Sequence, residues 1–286
     1  MVKKARRNFL KTAAAIGTLP LFAKADTTPK EETKLTFIHI TDSHMDLQDE
    51  ESVEAMETMV SFINKNHPDL DFVLFGGDNF NNNVPGNKDA VAFKEIIEKL
   101  HCPAYVVRGN KESSPKPVGD PIGFVEFRKL FVENKGLEVK GKDWALEKKG
   151  YIVLGLDSCI ENANNGHYSK ETLAFAKKML EKGKPTIILN HHPYLNYWKG
   201  TDKKDLHKYV LNNTKEVQKE LFGYPNLILT LSGHKHIDNI SKIGHVTAIT
   251  TRGFIRPLDL DQYPMRLITL SDNKIDEKLI YTTSES

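Results

Sequence analysis

The chain predicts an α/β domain built mainly from parallel strands, and three observations carry that reading. From Leu35 onward, short apolar runs alternate with amphipathic stretches at helical spacing. No repeat or Pro/Gly/Ser-rich linker divides the chain beyond that point. The 286 residues, 39% hydrophobic and 27% charged, have the composition of an ordinary globular protein with a sizeable core.

Taken in order, Leu35 to Ile40 reads as a first strand. Ser52 to Lys65 follows as a helix, with Val53, Met56, Met59, Val60 and Ile63 on one face. Phe72 to Phe75 is a second strand, Lys88 to Leu100 a helix, Ala104 to Val107 a third strand and Phe124 to Val132 a further helix. Trp144 to Leu156 turns near Gly150 as a hairpin. Ser169 caps a helix running through Leu180, and Thr186 to Leu189 and Leu227 to Leu231 are strands. Two hairpin-like runs complete the chain, Ile237 to Ile249 around Gly244 and Arg266 to Tyr281 around Asp272-Asn273. They close a second sheet or the edge of the first.

Residues 1–25 have a basic start, a short apolar stretch from Thr12 to Phe22 and a small-x-small pattern at Ala23-Lys24-Ala25. This is the form of a cleaved signal peptide. Arg6-Arg7-Asn8-Phe9-Leu10-Lys11 resembles the twin-arginine export signal, which implies the twin-arginine export machinery as a partner and a bacterial periplasmic location. The apolar stretch is too short to span a bilayer, so no stable membrane anchor is expected. Residues 26–34 form a charged spacer, leaving 35–286 as the single domain. The first 25 residues hold six of the 40 basic residues and no acid, so the remainder carries 34 basic against 38 acidic residues. A chain of net charge −4 gives no general reason to expect nucleic acid as a partner. Cys102 precedes one strand and Cys159 follows another, which in parallel neighbours puts them at opposite ends and argues against a disulfide.

The chemistry gathers where strands end. Asp42 and His44 follow the first, Asp78 follows Gly76-Gly77 at the second, and Asn110 follows Gly109 at the third. His191-His192-Pro193 follows the strand ending at Leu189, and Ser232-Gly233-His234-Lys235-His236 follows Leu231. Open α/β sheets build their sites beyond the carboxyl ends of strands, so five exits that each supply a carboxylate, amide or imidazole point to one locus. In the last stretch, residues two apart along an extended strand project to the same side, which lets both imidazoles converge while Lys235 points away. Gly233 permits either a close backbone approach or a positive φ. A donor set of carboxylates, an amide oxygen and several imidazoles suits Mn, Fe or Zn, whereas Ca would take oxygens throughout.

In this order and spacing, Asp-x-His, Gly-Asp, Gly-Asn, His-His-Pro and Gly-His-x-His resemble the motifs of the calcineurin-like metallophosphoesterase superfamily, from about Leu35 to Leu270. The resemblance implies a calcineurin-like four-layer α/β/β/α sandwich of two mixed sheets flanked by helices. It implies two divalent metal ions, one held by Asp42, His44, Asp78 and His236, the other by Asp78, Asn110, His191 and His234, with Asp78 bridging. It also implies hydrolysis of a phosphoester by a metal-bridging hydroxide, with no serine or cysteine nucleophile. The His-His-Pro form and the Gly166-His167-Tyr168-Ser169 lead-in to a helix are most similar to cyclic nucleotide and glycerophosphodiester phosphodiesterases, which implies a small phosphodiester as substrate. A phosphomonoesterase or nucleotide pyrophosphatase is the alternative at the same site.

One position departs from the pattern. Gly109-Asn110-Lys111-Glu112 places lysine where most of the superfamily has a histidine. Lys111 is therefore the candidate catalytic residue, a fixed cation able to neutralise charge on phosphorus but a reluctant proton donor, which favours good leaving groups. Two alternatives are a solvated loop lysine and a catalytically inactive metal-binding protein. Glu112 is expected to brace the loop. His192 is the candidate to help replace the missing imidazole at the substrate, the alternative being that it faces solvent or packs. Tyr194, Tyr197 and Trp198 either wall the pocket or pack over the second sheet, and Asn79 to Asn83 form a polar turn beside the site.

Overall fold

The computed structural model describes residues 34–113, 122–196, 201–255, 263–272 and 274–282. The stretch expected to be a signal peptide and nearly all of the expected spacer lie outside the described residues, as do Tyr197, Trp198 and Asn273.

Residues 32–286 form the compact unit described below. Its first sheet holds β1 (Leu35–Ile40), β2 (Phe72–Phe75), β3 (Ala104–Val106), β11 (Pro264–Ser271) and β12 (Lys274–Tyr281), in the order β12-β11-β1-β2-β3. The second holds β4 (Glu138–Lys140), β5 (Asp143–Lys148), β6 (Tyr151–Gly155), β7 (Thr186–Leu189), β8 (Leu227–Ser232), β9 (Asn239–Ile243) and β10 (Val246–Thr250), in the order β4-β5-β6-β7-β8-β10-β9. Parallel pairing is confined to the centres, β1-β2-β3 and β6-β7-β8-β10. The rims are antiparallel: β11 and β12 extend the first sheet, and β4-β5 and β9 flank the second. The strand runs alone predict a mainly parallel domain; the two mixed sheets that the resemblance implies are what forms, because the hairpins lengthen both sheets at their edges. Apolar central runs signal buried parallel strands, whereas alternating exposed runs such as β12 signal a half-solvated antiparallel edge.

Helices cover the outer faces. Against the first sheet lie α1 (Glu50–Asn66), α2 (Lys88–Ile97) and α4 (Phe124–Phe131), which bury Met56, Met59, Ile63, Phe93, Phe127 and Phe131 in a core shared by both sheets. Against the second lie α5 (Lys170–Leu180) and α6 (Thr214–Leu221), which bury Leu173, Met179, Val217 and Leu221 in a second core. Alternation along one strand connects the layers: in β6, Val153 joins the first core while Ile152 and Leu154 join the second. The layers therefore run helix, sheet, sheet, helix. Trp144 on β5 ties the sheets directly, its indole N–H donating to the Val106 carbonyl on β3 at 3.0 Å. Directly opposite it in the ladder, Gly155 has no side chain, since a Cβ there would fall 2.0 Å from the indole.

The short α3 (Asn110–Ser113), β4, the 3-10 turn Lys203–Lys208 and α6 have no counterpart in the sequence reading. Cys102 and Cys159 are free thiols. Among the described residues, no helix is long and apolar enough to cross a membrane.

Candidate metal centre

The parallel strands β1, β2 and β3 of one sheet and β7 and β8 of the other all end at the same edge of the sandwich. The loop after β1 is sewn to the loop after β2 by backbone bonds: Asp42 N–H to Gly77 C=O at 2.9 Å, His44 N–H to Asp78 C=O at 2.9 Å and Met45 N–H to Asn79 C=O at 3.0 Å. Asp42, His44, Asp78, His234 and His236 all have φ between 44° and 68°. That left-handed region is sparsely populated by residues with a Cβ, and a concentration of such residues in one place is what a constrained functional site shows. His234 and His236 therefore do not converge by strand alternation. Each is turned inward by its own positive φ. Gly233 serves close approach: a Cβ there would lie 1.9 Å from Thr41 Oγ1 and 2.3 Å from Asp42 Oδ2.

All seven residues expected at the two ions come together. His44 Nε2 and His236 Nε2 face each other at 3.1 Å, with Asp42 Oδ1 at 3.3 Å from the His236 nitrogen. On the other side, His191 Nε2 lies 3.2 Å from His234 Nδ1, 3.2 Å from Asn110 Oδ1 and 3.4 Å from Asp78 Oδ1. Asp78 stands between the groups, its Oδ2 at 4.0 Å from His44 Nε2. Two imidazoles on one ion at about 2.1 Å stand roughly 3 to 3.5 Å apart in a tetrahedral or octahedral shell, so these spacings suit shared coordination.

The remaining ring atoms are committed to the protein, which fixes each tautomer. His191 Nδ1–H donates to the Gly76 carbonyl at 3.0 Å, His44 Nδ1–H to Asn81 Oδ1 at 3.2 Å and His234 Nε2–H to the Lys208 carbonyl at 2.8 Å. In each case the other ring nitrogen is left facing the centre. Asp42 Oδ2 accepts from the Thr41 hydroxyl at 2.8 Å and from the His234 N–H at 2.9 Å, while its Oδ1 is buried without a hydrogen bond. A buried carboxylate oxygen left bare among inward-facing imidazole nitrogens is a donor set that fits a metal ion.

The charges agree. Burial raises the pKa of the Asp42 and Asp78 carboxyls, yet the adjacent His236 for Asp42, and His191 for Asp78, hold both well below the usual carboxylate range. Burial pushes His44 and His234 down to about 4. His191, although burial opposes it, is pushed up to about 9 by Asp78 and Asp42. The set thus offers ionised carboxylates and neutral His44 and His234, while His191 carries a proton that a bound ion would displace.

Glu112 braces the site. Buried in α3, it accepts from the N–H groups of Gly109 at 2.7 Å, Asp78 at 3.1 Å and Asn79 at 2.6 Å, and from the Asn79 side chain at 3.0 Å. Lys111 sends its backbone N–H to Asp78 Oδ1 at 2.6 Å, and the residue lines a cavity of about 570 Å3 over the centre. His192 packs against the centre, its ring centroid 4.5 Å from that of His234, but it is fully buried, with Nδ1 bonded to the Ser158 hydroxyl at 2.8 Å and Nε2 to the Asn164 carbonyl at 3.1 Å. Both ring nitrogens are occupied, so it anchors the Asn164 loop and does not line the cavity. Tyr194 packs beneath the site, its hydroxyl on that of Tyr168 at 2.7 Å and its ring edge-on to Phe222. The Asn79 to Asn83 run is a buried polar turn in which Asn81 and Asn83 also bond Asp46.

The cavity's far wall consists of residues the sequence did not single out as lining it: Asn164, Asn165, Lys208 and Tyr209. A doubled asparagine before glycine reads as a turn, and Tyr209 lies in a stretch without periodicity, so neither carried a signal beyond its loop.

The profile of the calcineurin-like phosphoesterases matches residues 35–238. The chain belongs to this family. It is a metallophosphoesterase, a hydrolase of phosphoric esters whose cofactor is a pair of divalent ions of the Mn, Fe or Zn class. No curated protein matches it in sequence. Solved structures share the fold at low identity. A dimetal phosphatase from Danio rerio is 12% identical, with a TM-score of 0.63 over 87% of this chain and 99% of that one. The purple acid phosphatase PPD1 from yellow lupin seeds is 13% identical, with a TM-score of 0.58 over 87% of this chain and 52% of that one. GAP50 of Plasmodium, the anchor in the inner membrane complex, is 15% identical, with a TM-score of 0.51 over 87% and 85%.

Proposed function

We propose that the metallophosphoesterase hydrolyses a small phosphodiester, with Asp42, His44, Asp78 and His236 holding one ion and Asp78, Asn110, His191 and His234 the other. One observation carries this reading: the two oxygens of Asp78 are turned to different imidazole groups, Oδ2 to His44 and Oδ1 to His191. When bound, such a pair of ions supplies an activated water and neutralises charge on the phosphoryl oxygens. The chain's own residues do the positioning. Glu112 and the Lys111 N–H hold Asp78 in place, and the carbonyls of Gly76 and Lys208 orient His191 and His234. The Lys111 ammonium offsets charge that develops at phosphorus, so the leaving oxygen departs without a strong proton donor.

The His191-His192-Pro193 form and the Gly166 lead-in support a diester, and the 570 Å3 cavity has room for groups on two phosphoryl oxygens. Two lysines among the cavity residues, Lys111 and Lys208, favour the second reading, a monoester or pyrophosphate of higher charge. Rates on bis-nitrophenyl and mono-nitrophenyl phosphate with added Mn separate them. A higher kcat/KM on the diester supports the proposal, and a higher value on the monoester replaces it with the second reading.

The twin-arginine sequence supports export to the periplasm as a further part of the proposal. Cell fractionation of the native chain and of one carrying Arg6→Lys with Arg7→Lys tests it. Periplasmic activity that disappears in the variant is expected; activity that stays in the cytoplasm in both overturns it.

A further inference from the structure

The cavity over the metal centre has an aromatic residue in its wall, Tyr209, whose backbone segment is held by two hydrogen bonds and whose ring is backed by a cation. Its backbone N–H donates to the Leu206 carbonyl at 3.0 Å, closing the 3-10 turn. The carbonyl of the preceding Lys208 accepts from His234 at 2.8 Å, which ties this segment to the metal centre itself. The ammonium of Lys235, the residue between the two histidines of Gly-His-x-His, sits 2.9 Å from the ring centroid. Lys235 is buried and does not line the cavity, whereas Tyr209 does. The cation thus backs the ring.

A cation on a ring draws π-density toward itself, which makes the ring a poorer partner for a second cation and a better one for an electron-rich ring. Asn164 and Asn165 also line this cavity, on a loop held by the bond from His192 to the Asn164 carbonyl and by the close seat of Gly166 on the His192 ring. Their amides offer both donors and acceptors. Lys208 supplies a cation at the rim, paired with Asp205 at 2.7 Å. A rigid ring, two amides and a phosphoryl-binding centre in one cavity make a bipartite recognition site.

We infer that Tyr209 is a specificity-determining residue, a stacking platform backed by Lys235 for a planar, electron-rich heteroaromatic group on the substrate, as in a nucleoside phosphoester. The inference rests on the phosphoesterase site described above but not on whether the substrate is a diester or a monoester.

The test compares two ligands that differ only in the base. Calorimetry on the Mn-loaded full chain measures binding of the non-hydrolysable phosphonate analogues of adenosine monophosphate and of ribose 5-phosphate. The native protein is expected to prefer the adenosine compound by about tenfold or more, the range of one base stacked on one aromatic side chain. Tyr209→Leu should erase most of that preference, and Tyr209→Phe should keep it, because the ring and not the hydroxyl is what counts. Equal affinities in the native protein overturn the inference even if Tyr209→Leu does not fold, as does a preference that survives in Tyr209→Leu. If neither compound binds the Mn-loaded protein while two ions are present, the phosphoesterase site itself is misplaced and both readings fall. If both bind without discrimination, only the stacking platform is lost.

Discussion

Arg108 and Asn110 are separated by one glycine, yet they belong to two different kinds of buried polar cluster. Arg108 is 1% exposed; its Nε donates to Asp157 at 2.7 Å and its Nη2 to Glu161 at 2.9 Å, while Asp143 accepts the Asp157 N–H at 2.8 Å. Opposite charges there meet each other. At the metal centre, potential metal donors crowd together instead: imidazole nitrogens face imidazole nitrogens, and Asp42 Oδ1 is buried without a hydrogen bond. Backbone conformation separates the two as well. None of Arg108, Asp143, Asp157 or Glu161 has a positive φ, whereas five of the expected ligands do. The Arg108 cluster balances its own charges, although Arg108 Nη1 has no hydrogen-bond partner among the described residues; the metal centre reaches balance only with a cation added, which marks it as a binding site.

The largest effect that could break this contrast is at Asp78. Asp78→Asn should lose both ions by elemental analysis and lower kcat/KM by about three orders of magnitude or more, because one carboxylate serves both sites. Full metal content in that variant would mean the centre is misplaced. Next comes Arg108→Met, which leaves buried Asp157 without its partner and should cost about 3 to 5 kcal/mol in denaturant unfolding. The folded fraction should still bind two ions, and loss of metal would merge the two clusters into one. Chelation of the native protein should lower Tm by several degrees, since each ion at about 100 times its Kd contributes about 3 kcal/mol; an unchanged Tm argues against metal in the folded state.

The smallest effect concerns Asp143, whose carboxyl burial pushes up to about 7, with Asp157 adding to the rise and the Asp157 N–H opposing it. An acid with a raised pKa in the folded state favours folding fully below its unfolded pKa, near 3.8. That contribution is lost as pH climbs through about 7. Asp143→Asn keeps the Oδ1 acceptor and removes the titration. Its Tm relative to the native chain should improve between pH 4 and 8, and parallel pH curves would show that Asp143 does not titrate there.

What could be read in the sequence follows from strength of pattern. The central strands are unbroken apolar runs, and their exits carry residue types whose chemistry is conspicuous, so the α/β core and the gathering at Asp42, Asp78, Asn110, His191 and His234 were readable before any coordinates, whereas the division into two sheets was implied only by the resemblance. The rest lacked a periodic signature. Strand β4 is three residues, mostly exposed, and α6 buries only Val217 and Leu221 from eight residues. His192 could not be told from a ligand by type alone, since only the tertiary positions of Ser158 and Asn164 reveal that both its nitrogens are occupied. The cavity wall at Tyr209 depends on a long-range contact with Lys235, which no local pattern encodes. Left-handed φ at Asp and His is equally silent, because neither residue announces it as glycine does.

That last feature restricts which mutations the centre can accept. Asn, Asp and His are the side-chain-bearing residues that enter the left-handed region most readily, and β-branched or bulky residues resist it. At Asp42, His44, Asp78, His234 and His236, a library selected for folding alone would therefore return Gly, Asn, Asp and His ahead of Glu, Cys or Thr. Evolution of a new metal preference at this site then has few single steps open to it, mostly exchanges among carboxylate, amide and imidazole. A change toward thiolate ligands would require the loops to be rebuilt first.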